Sequence, residues 1–375
     1  MNAFPSPEHA AAEGQTAGAA PQTAFDWPRA ILHLDMDAFF VSVHRLQHPE
    51  DAGIPLVVGG RPEGRGVVAA ASYEAREYGI HSAMPMGRAL RLCPELRIVG
   101  HDWPAIQAAS QQVMRILAAH GPHEPMSVDE AYVDLTGVSD PPGRAAAIRA
   151  EVRARSGLPA SVGLATSKLV AKVASDHDKP EGCTIVPPGT EAAFLAPLSV
   201  RAIWGIGPRG AERLAALDIH TCGDLAAAEP SVLIRHFGGQ ADGLRARAAG
   251  IDPRPVVTDR GPARSISAER TFARDLADAE ALAEILAQLA VRVGADLRRR
   301  QLQAGTLSIK LRMSDFSTFT RQTSFPIAIQ ADDDIRRQAL ALFHEHWPPG
   351  SRLRLLGIGL SRLQPADAVQ LSLAL

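Results

Sequence analysis

Four acids in two places offer the most chemistry in this sequence. Asp35 and Asp37 end an apolar run that begins at Ala30, and Asp129 and Glu130 stand together in Ser127-Val128-Asp129-Glu130-Ala131. An acid pair at a strand end is often no more than a solvated turn. Two acids embedded among apolar strand residues are harder to account for, because burying them without a partner is costly. A divalent cation would remove that cost. Mg²⁺ takes oxygen ligands from one or two carboxylates and from substrate phosphates. Two such ions about 3.5–4 Å apart clamp the attacking and leaving oxygens of an in-line displacement. A strand-end Asp facing a hairpin-borne Asp-Glu supplies that ligand set in a palm-like sheet. Nucleotidyl cyclases use a similar layout, so the acids alone leave the substrate open.

The elements that must position them follow from hydrophobic patterning. Ala30–Asp37 reads as a buried strand whose carboxylates project from the sheet edge. Pro55–Gly59 and Gly66–Ala71 read as short strands, Tyr73–Tyr78 and Met86–Leu92 as helices. Ile106, Val113, Ile116 and Leu117 share one face of a helix over 105–119. A strand is expected over 126–135, a helix over 145–154, a strand over 160–164 and a helix over 168–175, together a mixed sheet covered by helices. Residues 191–250 read as short helices, and the Pro-rich 251–262 as a linker. Beyond it, a long helix over 277–301 and strands at 306–313 and 352–360 form a separate unit. Residues 1–24 carry almost nothing to bury and read as a disordered leader.

Bulk properties exclude more than they assign. With 375 residues there is room for several domains. The balance of 39 Lys+Arg against 41 Asp+Glu means that any nucleic-acid contact must come from local patches and main-chain amides. Cys93, Cys183 and Cys222 lie far apart, which fits neither a disulfide framework nor a zinc site. No apolar run approaches a membrane span and no secretory signal is visible, so a cytoplasmic monomer is expected.

Several motifs, in one order, resemble the Y-family DNA polymerases, in particular their polymerase IV branch. Ile31-Leu32-His33-Leu34-Asp35-Met36-Asp37-Ala38-Phe39-Phe40 resembles that family's first metal motif and Ser127–Tyr132 its second. The resemblance implies Asp35, Asp129 and Glu130 as catalytic metal ligands for two Mg²⁺ ions. The Met36 carbonyl would help, and Asp37 would support. It implies Phe40 as the steric gate against a 2′-hydroxyl, beside Phe39. The segment Ala71–Gly79 resembles the part of the fingers that touches the triphosphate, with Tyr73 and Arg76 on one helix face. Lys172 matches a phosphate-binding lysine. Ala69, Ala70, Ala71 and Ser72 would leave a roomy roof over the nascent base pair.

The rest of the chain extends the likeness. Gly205-Ile206-Gly207 resembles a helix-hairpin-helix turn, whose amides grip DNA phosphate without reading sequence. Arg264, Arg270, Lys310, Arg312 and Arg321 would track phosphates. Gln370, Leu371, Leu373 and Leu375 resemble a peptide that docks on a sliding clamp. The implied fold is a multidomain α/β right hand: a palm over 25–190 with fingers inserted at about 39–101, a helical thumb over 191–250, the linker, an α/β little finger over 263–364, and a clamp-binding tail over 365–375. The implied function is error-prone translesion synthesis on primer-template DNA with deoxyribonucleoside triphosphates, without proofreading. A catalytically silent scaffold that recruits the clamp is the alternative. Three departures stand out: His44 where the family has Glu, Ala70 where many relatives have Thr, and an unusual stretch at 118–123.

Overall fold

The computed structural model describes residues 26–366; the leader expected at 1–24 and the clamp-binding residues Gln370–Leu375 lie outside them. The central sheet has five strands in the order His123–Pro125, Glu130–Asp134, Ile31–Met36, Ala160–Ala165, Cys183–Ile185. Strand Ile31–Met36 pairs antiparallel with both neighbours and is the middle strand of the five. Its alternation divides the fold. Leu32 and Leu34 join Ile106, Val113, Ile116, Ile148 and Val152 of helices Trp103–Ala118 and Pro141–Ser156. Ile31 packs on the opposite face, with Val170, Val173 and Ala174 of helix Lys168–His177. By the same alternation His33 and Asp35 share that second face.

Between Gln47 and Trp103 the chain makes a small three-stranded sheet, ordered Val68–Ala71, Leu56–Gly59, Arg97–Val99. Its core of Val57, Val68, Ile80, Met84 and Met86 is its own, while Val41, Leu56 and Val58 bind it to the central unit. His44, one of the departures, bonds the buried Asp51 at 2.8 Å, tying helix Phe39–Gln47 to the turn that follows it. The short helices between Glu191 and Ala248 do not close a core by themselves. Leu195, Ile203, Leu214, Leu233 and Leu244 pack into the cluster that covers helix Lys168–His177.

The C-terminal unit is a four-stranded antiparallel sheet, ordered Thr318–Ile329, Leu302–Met313, Leu353–Pro365, Ser265–Leu276. Helices Ala279–Arg299 and Asp332–His346 cover one face around Leu286, Val293, Leu311, Phe343 and Ile358. Two of its strands, Ser265–Leu276 and Thr318–Ile329, and the helix Asp332–His346 were not expected from the sequence. The polar alternation of the two strands leaves little apolar signal to read, whereas the helix carries a stripe through Ile335, Ala339, Leu342 and Phe343.

The Pro-rich connection is strapped down. Glu124 and Lys168, each 5% exposed, form an ion pair beneath it. Glu124 also accepts from the Val257 amide at 2.8 Å and from Arg260 at 3.2 Å. Asp252 accepts from the Leu169 amide at 3.1 Å. A segment with few hydrogen bonds of its own thus borrows acceptors from the sheet. Removing one partner of a buried ion pair strands the other. Glu124→Ala should therefore lower unfolding free energy by about 3–5 kcal/mol in urea titrations. Pairing Glu124→Leu with Lys168→Met should recover most of that; a single-variant loss below about 1 kcal/mol would show the pair to be well hydrated.

Candidate active site

Asp35 and Glu130 are register partners across the central strand pair, and such partners project from the same face. The Met36 amide donates to the Asp129 carbonyl at 2.9 Å, locking the acidic turn onto the strand end. The expected continuous strand over 126–135 is shorter: it begins at Glu130, and residues 127–129 form a bend. Ser127 causes this. Its hydroxyl accepts from the Glu130 amide at 3.1 Å and donates to the Asp129 carboxylate. Asp129 consequently stands at the mouth of the hairpin rather than within a strand.

The first acid motif ends in a sharp reversal. Ala38 is in the left-handed region, at φ 44° and ψ 46°, and leads directly into helix Phe39–Gln47. A non-glycine residue held there costs about 1–3 kcal/mol, a strain that must be over-determined by its surroundings. Asp37 supplies the restraint. It is 1% exposed and accepts from the Ser161 hydroxyl at 2.9 and 3.0 Å, the Glu181 amide at 2.8 Å and the Tyr73 hydroxyl at 3.3 Å. One buried carboxylate thereby joins the central strand, its neighbour, the loop after helix Lys168–His177 and the inserted sheet.

These restraints enclose a cavity of about 220 Å³. Asp35, Met36, Phe39, Phe40, Tyr73, Arg76 and Asp129, all singled out in the sequence, line it. The Met36 side chain is buried in the core, which leaves its main chain to the cavity. Phe39 is 2% exposed and serves packing as much as the cavity, whereas Phe40 is only half buried. Arg76 lies over the Tyr73 ring at 4.5 Å and donates to the Ala71 carbonyl at 3.2 Å. Burial, with the Asp37 charge, pushes the Tyr73 phenol up to about 12, so it remains a donor. Of the four small roof residues, Ala69 and Ala70 reach the cavity; Ala71 and Ser72 are buried, and Ser72 caps helix Tyr73–Glu77.

Lys172 does not line this cavity. It bonds Glu130 at 2.5 Å and, with Glu130, lines a second cavity of about 460 Å³ beside Tyr132, Trp204 and Arg254. The cation facing Tyr73 and Arg76 is Lys179, 2.8 Å from Asp35 and 2.7 Å from Asp176. Sequence reasoning passed over it because it follows the helix rather than lying on its periodic face. The signal available was Lys179-Pro180-Glu181-Gly182, a turn that ends the helix and leaves the lysine at the sheet edge.

Electrostatics separate the two acids that share the strand pair. Burial pushes the Asp35 carboxyl up to about 6, against the pull of Lys179. Burial opposes charge on Lys179 as well, but Asp35 and Asp176 outweigh it and hold the ammonium above its ordinary value. Glu130 goes the other way, to about 2, because His33 and then Lys172 stabilise its charge against burial. The His33 Nε2 is 3.6 Å from Glu130 and its Nδ1 is 2.7 Å from the Ser175 hydroxyl. Among the described residues no three His, Cys, Asp or Glu side chains are close enough to hold one ion. Asp35 and Asp129 meet in the first cavity while Glu130 is drawn to Lys172.

The residues expected to contact DNA lie on two further surfaces. Gly205 (φ 97°) and Gly207 are exposed on either side of Ile206, which is 7% exposed and anchors the turn; Gly207 then caps helix Pro208–Ala215. On the C-terminal sheet, register places Lys310 and Arg312 with Ser308, Glu269 and Gly357 on the face opposite the buried Ile309 and Leu311. Lys310 pairs with Glu269 at 2.9 Å, and Arg312 bonds Thr318 at 2.9 Å. Arg270 is on the helix side instead, 2.8 Å from Gln288. Arg321 faces the helix side too, as the register partner of Ile309, and Arg264 is exposed. No helix among the described residues is long and apolar enough to cross a membrane.

Comparison with known proteins agrees along nearly the whole chain. Models of the impB/mucB/samB family match residues 34–176, its C-terminal domain residues 263–373, and its helix-hairpin-helix motif residues 188–219. The chain is 43% identical to a DNA polymerase IV of Halorhodospira halophila, covering 91% of this chain and 97% of that protein. It is 42% identical to one of Methanoculleus marisnigri, covering 92% and 97%. A chimaeric Y-family DNA polymerase shares the fold with a TM-score of 0.79 at 25% identity, over 90% of this chain and 99% of that one. DinB from Sulfolobus solfataricus follows at 0.61 and 25% identity, over 88% and 98%. The chain therefore belongs to the impB/mucB/samB family of Y-family DNA-directed DNA polymerases, in the branch named DNA polymerase IV.

Proposed function

We propose that the 220 Å³ cavity is the nucleotide-insertion site of an error-prone translesion polymerase. One observation carries the reading: Asp35 and Asp129 open onto the same cavity as Tyr73, Arg76, Lys179 and the Phe40 ring, with Glu130 opposite Asp35 in register. The five-stranded sheet acts as palm, the inserted sheet as fingers, 191–250 as thumb and the C-terminal sheet as little finger, joined at 251–262.

The donor set fits hard divalent cations. Carboxylates and a main-chain carbonyl are the oxygen ligands such ions take, and Asp35 is an acid whose burial a cation would offset. Asp35, Asp129, Glu130 and the Met36 carbonyl would hold two Mg²⁺ ions. When bound, these supply charge neutralisation and activation of the primer hydroxyl. The protein's own groups do the rest. Tyr73, Arg76 and Lys179 orient the triphosphate, Arg76 through a planar fork suited to phosphate oxygens. Phe40 bars a 2′-hydroxyl by clash. Ala69 and Ala70 leave space above the base pair, which admits damaged templates and lowers fidelity. Lys172 holds Glu130 ionised.

DNA is gripped at the Gly205–Gly207 amides and on the open face of the little-finger sheet. There Gly357 and Gly359 line a shallow hollow with Ser308, Lys310 and Glu269. The tail Gln370–Leu375 docks on a sliding clamp, with leucines at alternate positions as anchors. A catalytically silent scaffold is the second reading; it draws on the hold of Lys172 on Glu130.

Primer extension with Mg²⁺ decides between them. Asp129→Asn and Glu130→Gln should each reduce nucleotide addition by at least about a thousandfold while leaving primer-template affinity within about threefold. Substantial extension by either variant would overturn the ligand assignment.

Asp35 has a separate signature, measured with chelator present. Its carboxyl is at about 6 in the folded chain against 3.8 ordinarily, so between those values the folded state holds more protons. Stability should fall as pH rises through that window. Asp35→Asn should therefore raise stability at pH 7 by about 1–2 kcal/mol, with parent and variant converging below pH 4. A variant less stable than the parent at pH 7 would contradict this.

Deleting Gln370–Leu375 should leave short, unaided extension within about twofold and remove stimulation by the clamp, because tethering raises effective concentration without altering the site. Equal stimulation of the truncated and full-length enzymes would place clamp docking elsewhere.

A further inference from the structure

A gate that works by clash is only as selective as its ring is hard to move. The free energy by which a 2′-hydroxyl is rejected cannot exceed the cost of swinging the phenyl group aside, and an unsupported phenylalanine turns at little cost. Phe40 is only half buried, so its selectivity depends on what stands behind it.

Two rings stand there. His101 and Trp103 stack face to face, with centroids 5.3 Å apart and planes 4° from parallel. Phe40 meets both edge-on, at 5.7 Å and 73° to His101 and at 5.8 Å and 72° to Trp103. These are favourable aromatic geometries, and two parallel rings at one angle to a third fix its plane better than either alone. The backbone holds the pair in place. The chain leaves strand Arg97–Val99 and enters helix Trp103–Ala118 at once, with Asp102 as cap, accepting from the Ala105 amide at 3.0 Å. Trp103 is the first helical residue, with Pro104 next to it. It is nonetheless 49% exposed, a poor use of so large a side chain for core packing alone.

We propose that His101 and Trp103 are positioning residues for sugar selection: together they brace Phe40 so that discrimination against ribonucleotides rests on three residues. The inference builds on the reading of Phe40 as the gate. It also gives a role to the connection between fingers and palm, which supplies both rings.

The test is the ratio of ribo- to deoxynucleotide kcat/KM for one base, measured in four variants of the full chain. Phe40→Ala should relax the ratio most. Trp103→Ala should relax it by about three- to tenfold, the value of one edge-to-face contact. Trp103→Phe, which keeps a ring, should restore the parent ratio. Adding Trp103→Ala to Phe40→Ala should change nothing further, since the brace then has nothing to hold. If Phe40→Ala relaxes selection and Trp103→Ala does not, the brace is refuted and the gate stands. If Phe40→Ala leaves the ratio unmoved, gate and brace fall together. If Trp103→Ala relaxes selection equally with and without Phe40, Trp103 touches the nucleotide itself and the brace is overturned.

Discussion

Carboxylates on a half-buried sheet face remain charged only where cations stand against them, and the architecture follows from meeting that need. Period-two alternation in Ile31–Met36 sends Leu32 and Leu34 into one core and turns His33 and Asp35 to the other side. Helix Lys168–His177 covers that side with an apolar stripe through Val170, Val173 and Ala174, and brings Lys172 to Glu130. The turn beyond it brings Lys179 to Asp35. The same helix therefore seals the core and supplies the counter-charge. Asp35 is left less fully compensated than Glu130, which is why burial dominates one and its neighbours dominate the other.

Around this helix the remaining parts are oriented by polar contacts as well as by apolar packing. Asp37 collects hydrogen bonds from three segments, so the inserted sheet is oriented by a hydroxyl–carboxylate contact at Tyr73. The strap at 251–262 is fixed by Glu124 and Asp252. The inserted sheet also reaches the C-terminal one, through Arg65 and Asp275 at 2.6 Å. Contacts of this kind set direction at small net stability, since each exchanges water for protein partners.

Much of this was legible in the sequence. The strand at Ile31–Met36 was readable as an apolar run buried on both faces, and the helix at Met86–Leu92 because it buries one clean face. The cavity's residues were found through motif resemblance, and spacing alone would not have gathered them from strand, hairpin and insert. What escaped was long-range or polar. That Lys179 rather than Lys172 lines the cavity depends on which way a turn leaves a helix. The strap depends on an ion pair between residues 44 apart. Ser265–Leu276 and Thr318–Ile329 flank the C-terminal sheet with mostly exposed residues, so their sequence carries little pattern. Ser127 ending the acid-bearing strand is side-chain chemistry competing with a ladder, which propensity does not register.

The helices of 191–248 share their hydrophobic cluster with the central unit, whereas the C-terminal sheet closes a cluster of its own. This sets two different grains of heredity within one chain. Changes at Leu169 or Val170 must be accommodated by both the central unit and the helices of 191–248, so those two are bound to co-adapt. The C-terminal unit closes its own core, and a polar contact, Arg65 with Asp275, joins it to the inserted sheet. Substitutions inside the C-terminal cluster can therefore be absorbed there, without repacking around helix Lys168–His177.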